Sequence, residues 1–404
     1  MNTYLFAASR EINCNKRLKL IFFIILIFRD LNKKLFMLIL LGVTVQACGQ
    51  TTGLLIGSYT GSQDSTGIRY YSFDTNTGAS KLESSVNGIP NASYLCYRSN
   101  SKTLFSVSET GKGAGSIYAF QADPVTGVFT FDSKASSGGG GPCYVEATTS
   151  GNFVFAANYG GGSLAAIRVD DRHHLTDAGS QVIQHKGSSI NKDNQNKPHA
   201  HSAILSPDQR FLLVCNLGTD QVFVYRFDST AAQPLTPADP AFVKVKPGSG
   251  PRHLTFHPNG NFVYVVNELD GSVDAYGYSE GKLSPLQRVS MLPDGFSGTI
   301  EGADIHVSPD GKFLYASNRE IQNAISIFKI DESGKLTLAG RQSTLGRAPR
   351  NFVIDPSGKF LLAANMNSNQ VVIFKRDQQS GLLTDTGLRI DVPKPACLKF
   401  VARE

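Results

Sequence analysis

One pattern, met again and again along this chain, restricts its fold more than any other feature. The segments "HSAILSPDQRFLLVCNLGTDQVFVYRFD" from His201, "RHLTFHPNGNFVYVVNELDGSVDAYGY" from Arg252, "ADIHVSPDGKFLYASNREIQNAISIFKID" from Ala303 and "RNFVIDPSGKFLLAANMNSNQVVIFKRD" from Arg350 align by eye. "YLCYRSNSKTLFSVSETGKGAGSIYAFQAD" from Tyr94 and "YVEATTSGNFVFAANYGGGSLAAIRVD" from Tyr144 fit the same template. Unit starts recur near Pro90, Pro142, Pro198, Pro251, Ala303, Pro349 and Pro395, at spacings of 52, 56, 53, 52, 46 and 46. A steady period of this size marks a repeat architecture. Each unit opens with a short apolar run and a turn such as Ser-Pro-Asp-Gly. An aromatic-rich run ending in Asn or Glu follows. After a Gly, Asn or Asp turn comes an alternating run such as Val222-Phe223-Val224-Tyr225, then a weaker fourth run such as Lys282–Met291. Period-two alternation bounded by turn residues reads as strands and hairpins. Four strands in about 50 residues make a propeller blade.

The ends of the chain supply the blade count. Leu54–Tyr59, Ile68–Phe73 and Lys81–Val86 read as three strands of a blade, and Pro395–Val401 as a lone first strand. Joining them completes a seventh blade and removes an exposed edge. The expected fold is therefore all-β: a seven-bladed β-propeller of four-stranded antiparallel blades, with the C-terminal strand closing the N-terminal blade. From Cys48 onward the chain has 404 − 47 = 357 residues, and 357/7 is 51, in step with the spacing. A parallel β-solenoid is the rival, but its repeats are usually shorter. The expected organisation is a targeting segment over 1–47 and one propeller domain over 48–404.

Charge separates the two parts. Residues 1–47 hold Arg10, Lys16, Arg17, Lys19, Arg29, Lys33 and Lys34 against Glu11 and Asp30, or 7 − 2 = +5. The whole chain carries +6, which leaves +1 for the remainder. A near-neutral body offers no electrostatic case for binding nucleic acid. Leu18–Phe28 and Leu35–Val45 are apolar runs behind basic residues. Each is shorter than the roughly 20 residues that span a bilayer, and each fits the hydrophobic region of a signal peptide. The second run ends Val45-Gln46-Ala47-Cys48-Gly49, which resembles a lipoprotein cleavage site. The expectation is a lipidated Cys48 and a lipid anchor that places the protein at the cell envelope or periplasm. An ordinary signal peptide is the alternative, and a cytoplasmic location would follow from a misassigned N-terminus. An over-extended gene start would account for residues 1–30.

Cys96, Cys143, Cys215 and Cys397 lack CxxC spacing, so a zinc site is not indicated. They sit in apolar runs, where a free thiol behaves as a small hydrophobe; pairing in an exported protein is the alternative. Gln184–Lys197 is a polar insertion read as a mobile loop. Ser136–Gly141 ("SSGGGG") reads as a Gly-rich approach to a strand rather than a phosphate loop, because no helix or Lys-Ser/Thr follows it.

Antiparallel pairing also places side chains. In each blade the start of the first strand and the end of the second meet at one rim of the channel. His199, His201, Asn216, Arg252, His253, Asn267, Glu268, Asp304, His306, Asn318, Arg319, Arg350 and Asn365 are expected there. Arg252, Arg319 and Arg350 suggest a fork-shaped anion site, since guanidinium pairs with carboxylate or phosphate in bidentate fashion. Glu268 and His201 are candidates for proton transfer. Asn158, Asn318 and Asn365 read as strand caps. His257 reads as a hairpin hydrogen-bonding residue, and His173 and His174 fall in a blade-edge turn. His199-x-His201 and Asp304-x-His306 are conceivable metal pairs, yet the expected chemistry needs neither metal nor cofactor. No Gly-x-Ser-x-Gly elbow is present.

The runs "PHAHSAILSPD", "GPRHLTFHPNGNFVYVVNE", "ADIHVSPDGKFLYASNR" and "PRNFVIDPSGKFLLAAN" resemble those of the seven-bladed lactonase family. That family includes propeller-type 6-phosphogluconolactonase and carboxy-cis,cis-muconate cyclase. The resemblance covers residues 52–401. It implies His201, Arg252, Glu268 and Arg319 as catalytic residues. His199, His253, Asp304, His306 and Arg350 are then expected to bind substrate. The implied reaction is hydrolysis of 6-phosphogluconolactone or another acidic sugar lactone by a monomer. In it Glu268 or His201 activates water while Arg252 and Arg319 hold the anionic group. The alternative is a non-catalytic propeller that binds a ligand or protein at the cell envelope.

Overall fold

The computed structural model describes residues 51–60, 65–111, 115–123 and 125–402. The targeting segment and Cys48 lie outside the described residues. Within them, 28 strands pair into seven four-stranded sheets, every pairing antiparallel. Six sheets use four consecutive strands. The seventh adds Pro395–Val401 to Thr51–Ser58, Thr66–Asp74 and Ser80–Asn87. The first strands of successive blades touch in cyclic order, and Pro395–Val401 joins the last to the first. The seven-bladed propeller closed by the C-terminal strand is thus present.

Burial explains why each blade reads as it does. Second strands such as Phe153–Asn158, Phe211–Asn216, Phe313–Asn318 and Phe360–Asn365 are buried at every position. Each is sandwiched between neighbouring blades, so both of its faces must be apolar. Fourth strands such as Leu336–Ser343 alternate or are largely exposed, because one face meets solvent. Asn side chains at the ends of second strands serve the backbone. Asn158 Nδ2 donates to Ser137 O at 2.8 Å and Asn365 Nδ2 to Thr344 O at 2.8 Å, and Asn318 Oδ1 accepts from Glu301 N at 3.0 Å. His257 bonds its own turn and accepts from Asn259 N at 3.1 Å. Cys96, Cys143, Cys215 and Cys397 are buried free thiols.

The polar insertion Gln184–Lys197 is not the mobile loop its composition suggests. Gln195 is fully buried and donates to Leu217 O at 2.8 Å. Ser189 Oγ donates to Asp220 at 2.5 Å, and Asn191 Oδ1 accepts from Asp193 N and Asn194 N. At its start, His185 Nδ1 accepts from Asn216 Nδ2 at 2.8 Å and its Nε2 meets Tyr225 OH at 2.9 Å. Polar side chains here replace a missing apolar anchor by satisfying buried backbone and side-chain groups. Among the described residues no helix is long and apolar enough to cross a membrane.

Candidate active site

The site begins with a recurrent irregularity. In six of the seven blades, the register between first and second strands slips at the same place. Pro251 pairs with Asn267 and His253 with Val266, so Arg252 is the extra residue. His201, Cys143, Arg350 and Ala396 are extra in the same way, and Ala303 and Asp304 share one partner. A bulge re-aims the unpaired side chain. Here it turns His201, Arg252, Arg350 and Cys143 toward one crevice in the channel, which Ser93 and Ala396 also line. Symmetric counting from the hairpin turns placed Arg252 opposite Glu268, whereas the bulge makes Arg252 unpaired.

A second ring comes from the residue that follows each second strand. In chain order these are Tyr59, Glu109, Tyr159, Leu217, Glu268, Arg319 and Met366. Five are polar or aromatic, and they gather around the bulge residues. Arg252 Nε lies 2.8 Å from Glu268 Oε2, and Arg319 Nη2 lies 3.2 Å from Glu268 Oε1. Arg319 Nε lies 3.4 Å from Glu301 Oε2. Both Nε–H groups are in ion-pair range but off the hydrogen-bond axis. Arg350 Nη2 is 3.9 Å from Glu109, and its guanidinium lies over the Tyr59 ring. Glu109 Oε2 accepts from Tyr59 OH at 2.7 Å and from Ser93 Oγ.

Burial and charge set the protonation states. Burial is the largest influence on Glu268 and pushes its carboxyl up. Arg319, Arg252 and Arg350 together outweigh it and hold the group below its ordinary value. Glu301 goes the other way, raised by burial that Arg319 only partly offsets. Burial, then the Arg350 charge, depresses Arg252 to about 10. His201 is pushed well below the ordinary imidazole value by burial and by Arg252, so it is neutral at working pH. Its buried Nδ1 has no hydrogen-bond partner among the described residues.

The expected residues do not all share one mouth. His201, Arg252, Glu268, Arg319 and Arg350 converge. His199 packs face to face on Tyr159, with its Nδ1 at 2.9 Å from Tyr159 O, beside the site. His253 is wedged across the middle of the channel against Tyr94, Tyr144 and His201. Asp304 lies beneath it, 2.8 Å from His253 Nδ1. His306 faces a cavity of about 310 Å³ lined also by Leu205, Phe256 and Lys399. The inner strand runs through the channel, and two residues past Asp304 the chain has left the arginine-lined end. The reading of one rim for all of them is corrected to this extent. Of the three arginines read as an anion fork, Arg252 and Arg319 both pair with Glu268, and Arg350 stands 3.9 Å from Glu109. Asp304 and His306 bond one another at 3.0 Å. Sequence reasoning missed Tyr59, Glu109, Tyr159 and Glu301. The first three occupy the repeat position of Glu268 and Arg319, so extending the alignment to that column finds them. Glu301 precedes a unit start and carries no such signal.

The Arg252–Glu268–Arg319 cluster is thus carried by first strands and by the residues that follow second strands of a seven-bladed propeller. The chain belongs to the seven-bladed β-propeller lactonase family, whose model matches residues 53–400. It is 40% identical over 305 residues to the 6-phosphogluconolactonase of Formosa agariphila, covering 75% of this chain and 86% of that one. It is 33% identical over 349 residues to the 6-phosphogluconolactonase of Bacillus subtilis, covering 86% and 97%. The structure of the periplasmic gluconolactonase of Pseudomonas aeruginosa superposes with a TM-score of 0.82 at 37% identity, covering 88% of this chain and all of that one.

Proposed function

We propose that this protein hydrolyses a sugar lactone at the arginine-lined mouth, with Glu268 as the base that activates water. The observation that carries the reading is Glu268 itself, a partly buried carboxylate held ionised between Arg252 and Arg319. Water attacks the lactone carbonyl as Glu268 takes its proton, and the ring C–O bond then breaks. Glu268 then passes that proton to the leaving ring oxygen, which returns the carboxylate to its ionised form. The product acid ionises to an aldonate. Arg350 makes no hydrogen bond among the described residues, so its donors are available to the oxyanion. A preorganised donor of this kind is worth about 3–4 kcal/mol. His201, neutral and with a free nitrogen, binds substrate hydroxyl or carbonyl.

Charge at the mouth bears on the substrate. Arg252, Arg319 and Arg350 are matched by Glu109, Glu268 and Glu301, three formal charges of each sign. A phosphate dianion arriving there meets three carboxylates. An uncharged aldonolactone pays no such penalty, and its product gains Arg350. The reading is therefore an unphosphorylated aldonolactone, in keeping with the name of the Pseudomonas relative. Its substrate is met outside the cytoplasm if residues 1–47 export the chain and Cys48 anchors it.

The test is hydrolysis of glucono-1,5-lactone and of 6-phosphogluconolactone by purified protein. Wild type is expected to accelerate the first more than the second. Glu268→Gln and Arg252→Ala are each expected to remove the rate while the fold persists. Wild-type protein that matches the uncatalysed rate on both leaves a non-catalytic binding propeller as the better reading.

A further inference from the structure

We infer that Asp304 is a positioning residue for Arg252, acting through the ring of His253. The inference rests on the lactonase reading of the mouth. Asp304 is buried in the channel and satisfies donors from three blades. Oδ1 accepts from His253 Nδ1 at 2.8 Å. Oδ2 accepts from His306 Nε2 at 3.0 Å, from Phe352 N at 3.2 Å and from Asn351 Nδ2. Burial, the largest influence, raises its carboxyl, but His306 and His253 outweigh it and the group is held well below its ordinary value.

An ionised carboxylate is an acceptor only, so the proton facing it sits on His253 Nδ1. Burial and Arg252 push His253 down to about 4, so the ring is neutral. Its Nε2 is then a lone pair, and it lies 3.3 Å from Arg252 Nη1. The same Nη1 donates to Ala303 O at 2.5 Å. Two acceptors on one nitrogen pin the guanidinium and leave its Nε against Glu268. Tyr94, Tyr144 and His201 meet the His253 ring edge-on, so the imidazole cannot turn to present a different nitrogen.

Asp304→Asn separates this role from simple filling of space. Oδ2 receives three donors, so the amide oxygen takes that side. The amide NH2 then faces His253 Nδ1 and forces its proton onto Nε2, where it points at the Arg252 N–H. With 15N-labelled histidine, NMR is expected to show His253 protonated at Nδ1 in wild type and at Nε2 in Asp304→Asn. The variant's kcat on gluconolactone is expected to fall about 10- to 100-fold, the range that outer-shell partners command, while KM holds. His253→Phe keeps the ring packing and is expected to show the same loss. The double variant is expected to lose no more than either single one.

Wild-type kcat in Asp304→Asn, an unchanged tautomer, or additive losses overturn the inference. If Asp304→Asn does not fold, an unchanged kcat in His253→Phe overturns it alone. A wild-type protein inactive on lactones sinks the lactonase reading instead, a result distinct from any failure of the variants.

Discussion

At the residue scale, the channel and its surroundings hold imidazoles that burial keeps neutral near neutral pH. Burial lowers His185 to about 4, burial and Arg252 lower His253 to about 4, and His201 lies well below its ordinary value. An unfolded histidine titrates near about 6.5. Between about 6.5 and 4 the unfolded chain therefore binds more protons than the folded one. This contribution to stability is complete above about 6.5 and drains away as pH falls toward 4. The urea midpoint is expected to drop across that window, and a flat profile refutes neutral burial. His185→Phe keeps the stacking on Phe223 but strands Asn216 Nδ2 and Tyr225 OH. At neutral pH it is expected to cost about 1–3 kcal/mol in denaturant unfolding. It is also expected to remove part of the acid-side slope.

At the element scale, the outer edges of the blades are managed by side chains that imitate a strand. Gln287 donates to Leu336 O at 3.1 Å and accepts from Leu336 N at 2.6 Å, from one blade to the next. Gln181 does the same for Leu235, at 2.9 and 2.8 Å. Each amide gives an outer strand the donor and acceptor it lacks there. Gln287→Leu matches the size but leaves both Leu336 backbone groups without their partner. Its expected cost is about 1–3 kcal/mol in denaturant unfolding, with lactone hydrolysis unchanged. An unaltered midpoint would mean that water replaces the amide at no cost.

At the scale of the whole molecule, closure holds the ring. Leu54, Leu55 and Ile56 pair with Phe400, Lys399 and Leu398, so the two ends of the described chain share a sheet. The closing strand also supplies Cys397 and Leu398 to the packing between blades. Removing residues 395–404 exposes the edge of Thr51–Ser58 and the apolar faces beside it. The truncated chain is expected to lose its single sharp thermal transition and to associate. A sharp transition near the wild-type temperature would show that six blades and three strands suffice.

The repeat, its period and the orphan strands at either end were enough to determine seven blades and their closure. Alternation and turn residues are local properties, and closure is arithmetic on them. The meeting of Arg252, Glu268 and Arg319 was legible for the same reason, since hairpin pairing carries residues to a predictable rim. Three things needed the tertiary structure. The bulges that free His201, Arg252 and Arg350 depend on how each inner strand meets the channel, and the same Pro-x start occurs without regard to what it will face. The separation of His306 from the arginine mouth depends on depth along the axis, which strand alternation does not encode. The closing of Arg252 and Arg319 onto Glu268, with Glu301 alongside, depends on distances between blades. Charge pairing across blades is a matter of a few ångströms, and no spacing along the chain contains it.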